Sequence, residues 1–214
     1  MARGKLIVFE GLDRAGKTTQ CQRLVEALRG EGRDVKFMRF PDRTTPIGQM
    51  INSYLAGDSE QEDHAIHLLF SANRWEAVPT ILTAIAQGTT VVIDRYYYSG
   101  IVYSAAKQNP SMSLSWCRRP DVGLPRPDLV LFLHIAPEEA AARGGFGVER
   151  YEKSEMQERV RGLFEEVGAR EKGWVVVDAG KGMDEVQESI QEKVKERMRE
   201  VDEERAPLGV VEEW

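Results

Sequence analysis

Leu6-Ile7-Val8-Phe9-Glu10-Gly11-Leu12-Asp13-Arg14-Ala15-Gly16-Lys17-Thr18 is the stretch whose reading decides the fold. An apolar run leads into a turn that fits G-x-x-x-x-G-K-[ST] without a mismatch, and an amphipathic segment carrying Leu24, Val25 and Leu28 leads out of it. Strand, loop and helix in that order are the context the pattern needs. Glycines at both ends let successive amides converge on phosphate oxygens at a helix N-terminus. Lys17 then reaches the β- and γ-phosphates of a nucleotide, and the Thr18 hydroxyl is placed to ligate Mg²⁺. Gly11, Leu12, Asp13, Arg14, Ala15, Gly16, Lys17, Thr18 and Thr19 are therefore the expected ATP-binding loop.

Outward from this loop, β-rich runs at 5–9, 34–38, 89–93, 129–134 and 174–177 alternate with helical patterns at 16–29, 46–56, 61–87, 99–107, 111–118, 153–172 and 183–201. Pro79 is a candidate interruption of the third helix. Val91-Val92-Ile93 and Leu129 to Leu133 are apolar without alternation, as in strands covered on both faces. The expected fold is α/β: three layers, α/β/α, around a five-stranded, mainly parallel sheet. The length of 214 residues suits one domain spanning 1–214.

A formal charge of -6 and a pI near 5.3 argue against nucleic acid or an anionic membrane as partner, so an anionic substrate needs a local basic pocket. Cys21 and Cys117 lack metal-ligand spacing and read as reduced thiols. The first residues contain neither a leader-like nor a membrane-spanning apolar run, so an intracellular, cytoplasmic location is expected. The charged helix near the C-terminus reads as a solvated face, and the tail ending in Trp214 either docks or frays.

Three further groups sit where a nucleotide enzyme needs them. Asp94-Arg95 follows an apolar strand, at the rim where open α/β sheets bind ligands; Asp94 suits Mg²⁺, usually through water, and Arg95 suits phosphate. Phe40-Pro41-Asp42-Arg43 falls at the same rim. Phe70 and Arg74, four residues apart on a helix, can stack on a base and donate to an exocyclic oxygen, although a core Phe beside a surface Arg is the commoner meaning of that spacing.

Together, residues 9–20, Phe40-Pro41-Asp42-Arg43, Asp94-Arg95-Tyr96 with Ser99-Gly100, and Pro120-Asp121-Val122-Gly123-Leu124-Pro125 resemble the eukaryotic-type thymidylate kinases, along roughly residues 5–190. The resemblance implies a P-loop NTPase fold with a lid insertion at about 138–151. It also implies transfer of the γ-phosphoryl group of ATP to dTMP with Mg²⁺, in dTTP synthesis, by a homodimer. Arg43 and Arg95 would bind the dTMP phosphate, and Asp13 would accept from the 3′-hydroxyl. Phe70 would stack on thymine, Arg74 would donate to its O4, and Ser104 would contact its edge. Tyr151 would pack near the sugar against a 2′-hydroxyl, with Phe40, Leu55 and Gly100 completing the acceptor site. Lys17, Asp94 and Arg95 would form the catalytic set with Arg14, which would act as an arginine finger in cis. Arg143 and Lys181 would meet adenine. A kinase for another monophosphate and a nucleotide-dependent switch are the rivals. The switch lacks a guanine-reading Asn-Lys-x-Asp motif in this chain.

Overall fold

The computed structural model describes residues 2–136, 139–140, 150–151 and 154–214. In chain order these form β1 (Leu6–Gly11), α1 (Lys17–Gly30), β2 (Val35–Arg39), α2 (Pro46–Ala56), α3 (Asp63–Ala86), β3 (Thr90–Asp94), α4 (Tyr97–Ala105) and α5 (Leu114–Arg118). A 3₁₀ turn (Arg119–Asp121), β4 (Leu129–His134), α6 (Ser154–Gly168), β5 (Trp174–Asp178) and α7 (Met183–Glu204) follow. The expected lid and Arg143 lie largely outside the described residues.

The strands pair in parallel in the order β2-β3-β1-β4-β5, so the phosphate-loop strand lies at the centre. Alternate residues of each inner strand face opposite layers. Leu6, Val8, Val91, Ile93, Val130 and Phe132 meet α3, α4 and α6 through Ile81, Ile101 and Phe164. Ile7, Phe9, Val92, Leu131 and Leu133 meet α1 and α7 through Leu24, Leu28, Ile190 and Val194. Both faces are dry, which is why these runs show no polar alternation.

Boundaries shift by one to four residues. β3 extends to Asp94 and β2 to Arg39, α4 begins at Tyr97 rather than 99, and α5 begins at Leu114 after its Ser113 cap. α3 runs unbroken through Pro79. Ile66, Ser71 and Arg74 are buried before the proline and Ile81, Ala84 and Ile85 after it, so packing on both flanks outweighs the lost hydrogen bond. α2 opens on Thr45, whose hydroxyl accepts from Gly48 N, with Pro46 at the first turn. A Cβ at Gly48 would lie 1.7 Å from the Asp42 carbonyl oxygen, so this glycine lets the 41–43 loop press onto α2.

The tail docks. Val211 N donates to Leu124 O (2.8 Å) and Gly123 N to Val211 O (2.9 Å). The Trp214 ring lies under the Arg118 and Arg170 guanidiniums, 4.5 and 5.0 Å from its centroid.

Candidate active site

The donor cradle begins where β1 ends. Gly16 takes a left-handed φ of 85° at the start of α1 and no side chain among the described residues caps that end, which suits the first-turn amides to an anion. Lys17 is buried, and its ammonium donates to Leu12 O (2.5 Å). Burial first, then the nearby Arg95 charge, pull its pKa down to about 8. Thr18 Oγ1 donates to Asp94 Oδ2 (2.5 Å), while Asp94 Oδ1 is buried without a hydrogen-bond partner among the described residues. A hydroxyl beside a carboxylate with an unbonded oxygen fits Mg²⁺, which keeps waters and takes phosphate oxygens. Among the described residues there is no cluster of three or more His, Cys, Asp or Glu side chains to hold a metal unaided.

Arg14 and Arg95 both adopt positive φ, 67° and 65°, which a side chain rarely tolerates unless neighbours impose it. For Arg95 the neighbours are visible. Its amide donates to Phe9 O (2.9 Å), and the next amide, Tyr96 N, donates to Glu10 Oε1 (2.9 Å). Glu10 also accepts from Ser99 N (3.1 Å) and Ser99 Oγ (2.6 Å). Burial raises the Glu10 pKa, with the Arg95 charge and these three donors opposing it. The Arg95 guanidinium donates to Asp13 Oδ1 (2.5 Å), and Asp13 Oδ2 accepts from Tyr103 Oη (3.0 Å) and Gln157 Nε2 (2.9 Å). Burial opposes ionisation of Asp13, but the Arg95 and Lys17 charges and these hydrogen bonds outweigh it and lower its pKa.

From this knot of charge a cleft of about 340 Å³ runs between α2, α3 and α4. Its mouth carries Arg43, whose guanidinium donates to Asn52 Oδ1 (2.8 Å). Leu55, Phe70 and Tyr151 line its flank, and Tyr151 packs against Tyr103, with ring centroids 5.6 Å apart. At the far end Arg74 is buried in a two-pronged pair with Asp121: Nε to Oδ1 is 3.0 Å and an Nη to Oδ2 is 2.8 Å. Ser71 Oγ also donates to Asp121 (2.8 Å). A Cβ at Gly100 would lie within 2.9 Å of both Arg74 terminal nitrogens, so this glycine makes room for the guanidinium. Ser104 is beside it, hydrogen-bonded to the buried His67 (2.7 Å).

A phosphate cradle continuous with a pocket that ends in a fixed cation is the arrangement of a kinase with a small planar acceptor. The family model described as thymidylate kinase matches residues 9–190. The chain belongs to the thymidylate kinase family. The thymidylate kinase of Danio rerio is 53% identical over 191 residues, 89% of each chain, and that of Homo sapiens is 50% identical over 208 residues, 97% of this chain and 96% of its own. A solved thymidylate kinase structure from Candida albicans superposes with a TM-score of 0.86 at 38% identity, covering 99% of this chain and 100% of that one. Members of this family are nucleoside-monophosphate kinases with ATP as phosphoryl donor.

In this thymidylate kinase family member, most residues expected at the site line one cleft. Asp13, Arg14, Gly16, Lys17, Thr18 and Thr19 are at its donor end; Phe40, Arg43, Asp94 and Arg95 at its centre; and Leu55, Phe70, Arg74, Gly100, Ser104 and Tyr151 around its acceptor end. Gly11 ends β1, and Leu12 and Ala15 are buried behind the loop. Lys181 is exposed after β5 and paired with Glu185 (2.6 Å). The start of α7 packs against α1, where Gln20 Nε2 donates to Met183 O (3.0 Å). Glu10 and Asp121 stand in the quoted sequence blocks without a role being read for them, and His67, Tyr103 and Gln157 fall outside those blocks. Each acts through a partner distant in sequence, and only the buried polarity of Glu10 inside an apolar strand is a signal.

Proposed function

We propose that this chain transfers the γ-phosphoryl group of ATP to dTMP, giving dTDP and ADP. The observation that carries the reading is the single cleft joining the phosphate loop to a pocket ended by Arg74 and Ser104. ATP phosphates lie on the amides before α1 and meet Lys17. The dTMP phosphate meets Arg43 and Arg95, its 3′-hydroxyl donates to Asp13, and its base stacks on Phe70 with O4 toward Arg74. Tyr151 and Tyr103 close on the sugar. Arg14, within the loop, neutralises charge on the moving phosphoryl group. Transfer between two polyanions asks for positioning and charge neutralisation more than for a strong base, and no such base is assigned. Thr18 and Asp94 would hold Mg²⁺, which would offset phosphate charge.

The chain acts as one domain over 1–214, with 138–151 as the lid that excludes water and Arg143 and Lys181 on the adenine side. A second copy pairs with it through α3. Leu68, Trp75, Pro79 and Leu82 recur on one exposed face of that helix, with Met50 of α2 also exposed. Such a self-complementary stripe suits a two-fold contact. No helix among the described residues is long and apolar enough to cross a membrane.

ADP formation measured across dTMP, dUMP, UMP, dCMP and dGMP tests the substrate. The expected result is dTMP foremost; preference for a purine nucleotide overturns it. Sedimentation of wild type against L68E/L82E tests the dimer, with a monomeric wild type as the refuting outcome.

A further inference from the structure

His67 is fully buried on α3, four residues from Ser71 and seven from Arg74, and touches no part of the cleft surface. Both its ring nitrogens are hydrogen-bonded. Nε2 lies 2.8 Å from the backbone carbonyl oxygen of Cys117, and Nδ1 lies 2.7 Å from Ser104 Oγ. A carbonyl oxygen can only accept, so Nε2 must carry a proton. Burial first, then the Arg74 charge, hold the imidazole pKa down to about 4, so at neutral pH the ring has one proton, already committed to Cys117. Nδ1 is then a bare lone pair. The Ser104 hydroxyl must donate to it, and what Ser104 turns toward the cleft is lone pairs only.

We infer that His67 is a positioning residue for base selection: it locks Ser104 as a pure acceptor beside the fixed donor Arg74, so that the pocket reads the acceptor–donor edge of a thymine-type ring. The inference rests on the proposed placement of the base against Arg74 and Ser104. Thymine and uracil present O4 as acceptor and N3–H as donor, matching both groups. Cytosine presents an amino group to Arg74 and a lone pair at N3 to Ser104, mismatching both. Arg74 cannot adapt, because Asp121 holds it by two bonds in a buried site. A free serine could adapt, because a hydroxyl rotates between donating and accepting. His67 removes that freedom. Selectivity of this kind comes from polar groups left unpaired by the wrong ligand rather than from added contacts with the right one.

Three measurements test this together. In H67F an aromatic ring is kept and the acceptor lost. Ser104 is freed to donate to cytosine N3, and the ratio of kcat/KM for dTMP over dCMP is expected to fall about tenfold, the scale of one repaired hydrogen bond. S104A removes the acceptor itself and is expected to lower the same ratio. The ¹⁵N shifts of selectively labelled histidine in the wild-type chain are expected to show one buried ring protonated at Nε2 and bare at Nδ1, a readout that does not require any variant to fold. A ratio unchanged in H67F but lowered in S104A overturns the role of His67 while leaving the base placement intact. A ratio unchanged in S104A overturns the base placement and the inference with it. An Nδ1-protonated ring or an imidazolium at neutral pH also overturns the inference.

Discussion

Removing Asp121 separates two things the Arg74 pair does. Asp121 is fully buried and Arg74 is 2% exposed, and two charge-assisted bonds join them, so Asp121→Ala leaves a guanidinium in the interior with no counter-charge. Breaking a buried pair from one side costs about 3–5 kcal/mol. For a chain of this length each kcal/mol lowers Tm by about 2–4 °C, so the expected drop is about 6–20 °C by differential scanning calorimetry without ligand. Ser71, which donates to the same carboxylate, loses its acceptor as well. The paired double variant R74M/D121L replaces both charges with apolar groups and is expected to regain most of the lost Tm, because a buried pair and a packed apolar pair are of similar net stability. dTMP turnover is expected to stay low in the double variant, since the donor to O4 is gone. A Tm drop under about 2 °C in D121A, less than about 1 kcal/mol by the same conversion, would refute the claim that the pair is buried and mutually required.

Arg14→Ala is expected to lower kcat at least tenfold with little change in dTMP affinity, and steady-state kinetics with an unchanged kcat would remove Arg14 from the reaction. Arg43→Ala is expected to weaken dTMP binding by about 10- to 100-fold, the scale of a charge-assisted bond, with wild-type affinity in calorimetry as the contrary result. Burial holds the Lys17 pKa down to about 8, and ATP phosphates favour its charged form. Below about pH 8 it is already charged. Above that pH, ATP binding must take up a proton, so Kd for ATP is expected to rise toward tenfold per pH unit; a flat profile from 7.5 to 9.5 would refute it. Trp214→Ala removes the ring beneath Arg118 and Arg170 and is expected to cost about 1 kcal/mol, read as a Tm lower by about 2–4 °C, with kcat and KM unchanged.

How legible the molecule was depended on the range of each interaction. The phosphate loop is read from contiguous residues because its chemistry lies in successive amides and one helix start. The three inner strands were visible because burial on both faces leaves an unbroken apolar run, as in Leu129 to Leu133, and the half-exposed edge strands through their β-rich composition. Pro79 shows the limit of local reading: its effect on a helix is local, yet the packing that overrides it comes from the sheet. Phe70 and Arg74 line the cleft, and their spacing alone was ambiguous until several sequence blocks were taken together. Asp121, His67 and Tyr103 were not legible as parts of the site. Arg74 and Asp121 are 47 residues apart, His67 and Ser104 are 37 apart, and Asp13 and Tyr103 are 90 apart, and no periodicity links such pairs.

Glu10 sits one peptide bond before Gly11, the first residue of the phosphate loop, and its carboxylate holds the backbone that begins at Arg95 and turns into α4. Donor and acceptor anchors thus hang from one residue of the central strand. The spacing between the phosphate loop and the Arg95 turn is consequently set by one strand residue's hydrogen bonds. A ligand that bridges both sites should then meet a span of nearly constant length, so a rigid bisubstrate linker would gain more over its flexible counterpart here than in a kinase whose two sites ride on separate moving bodies.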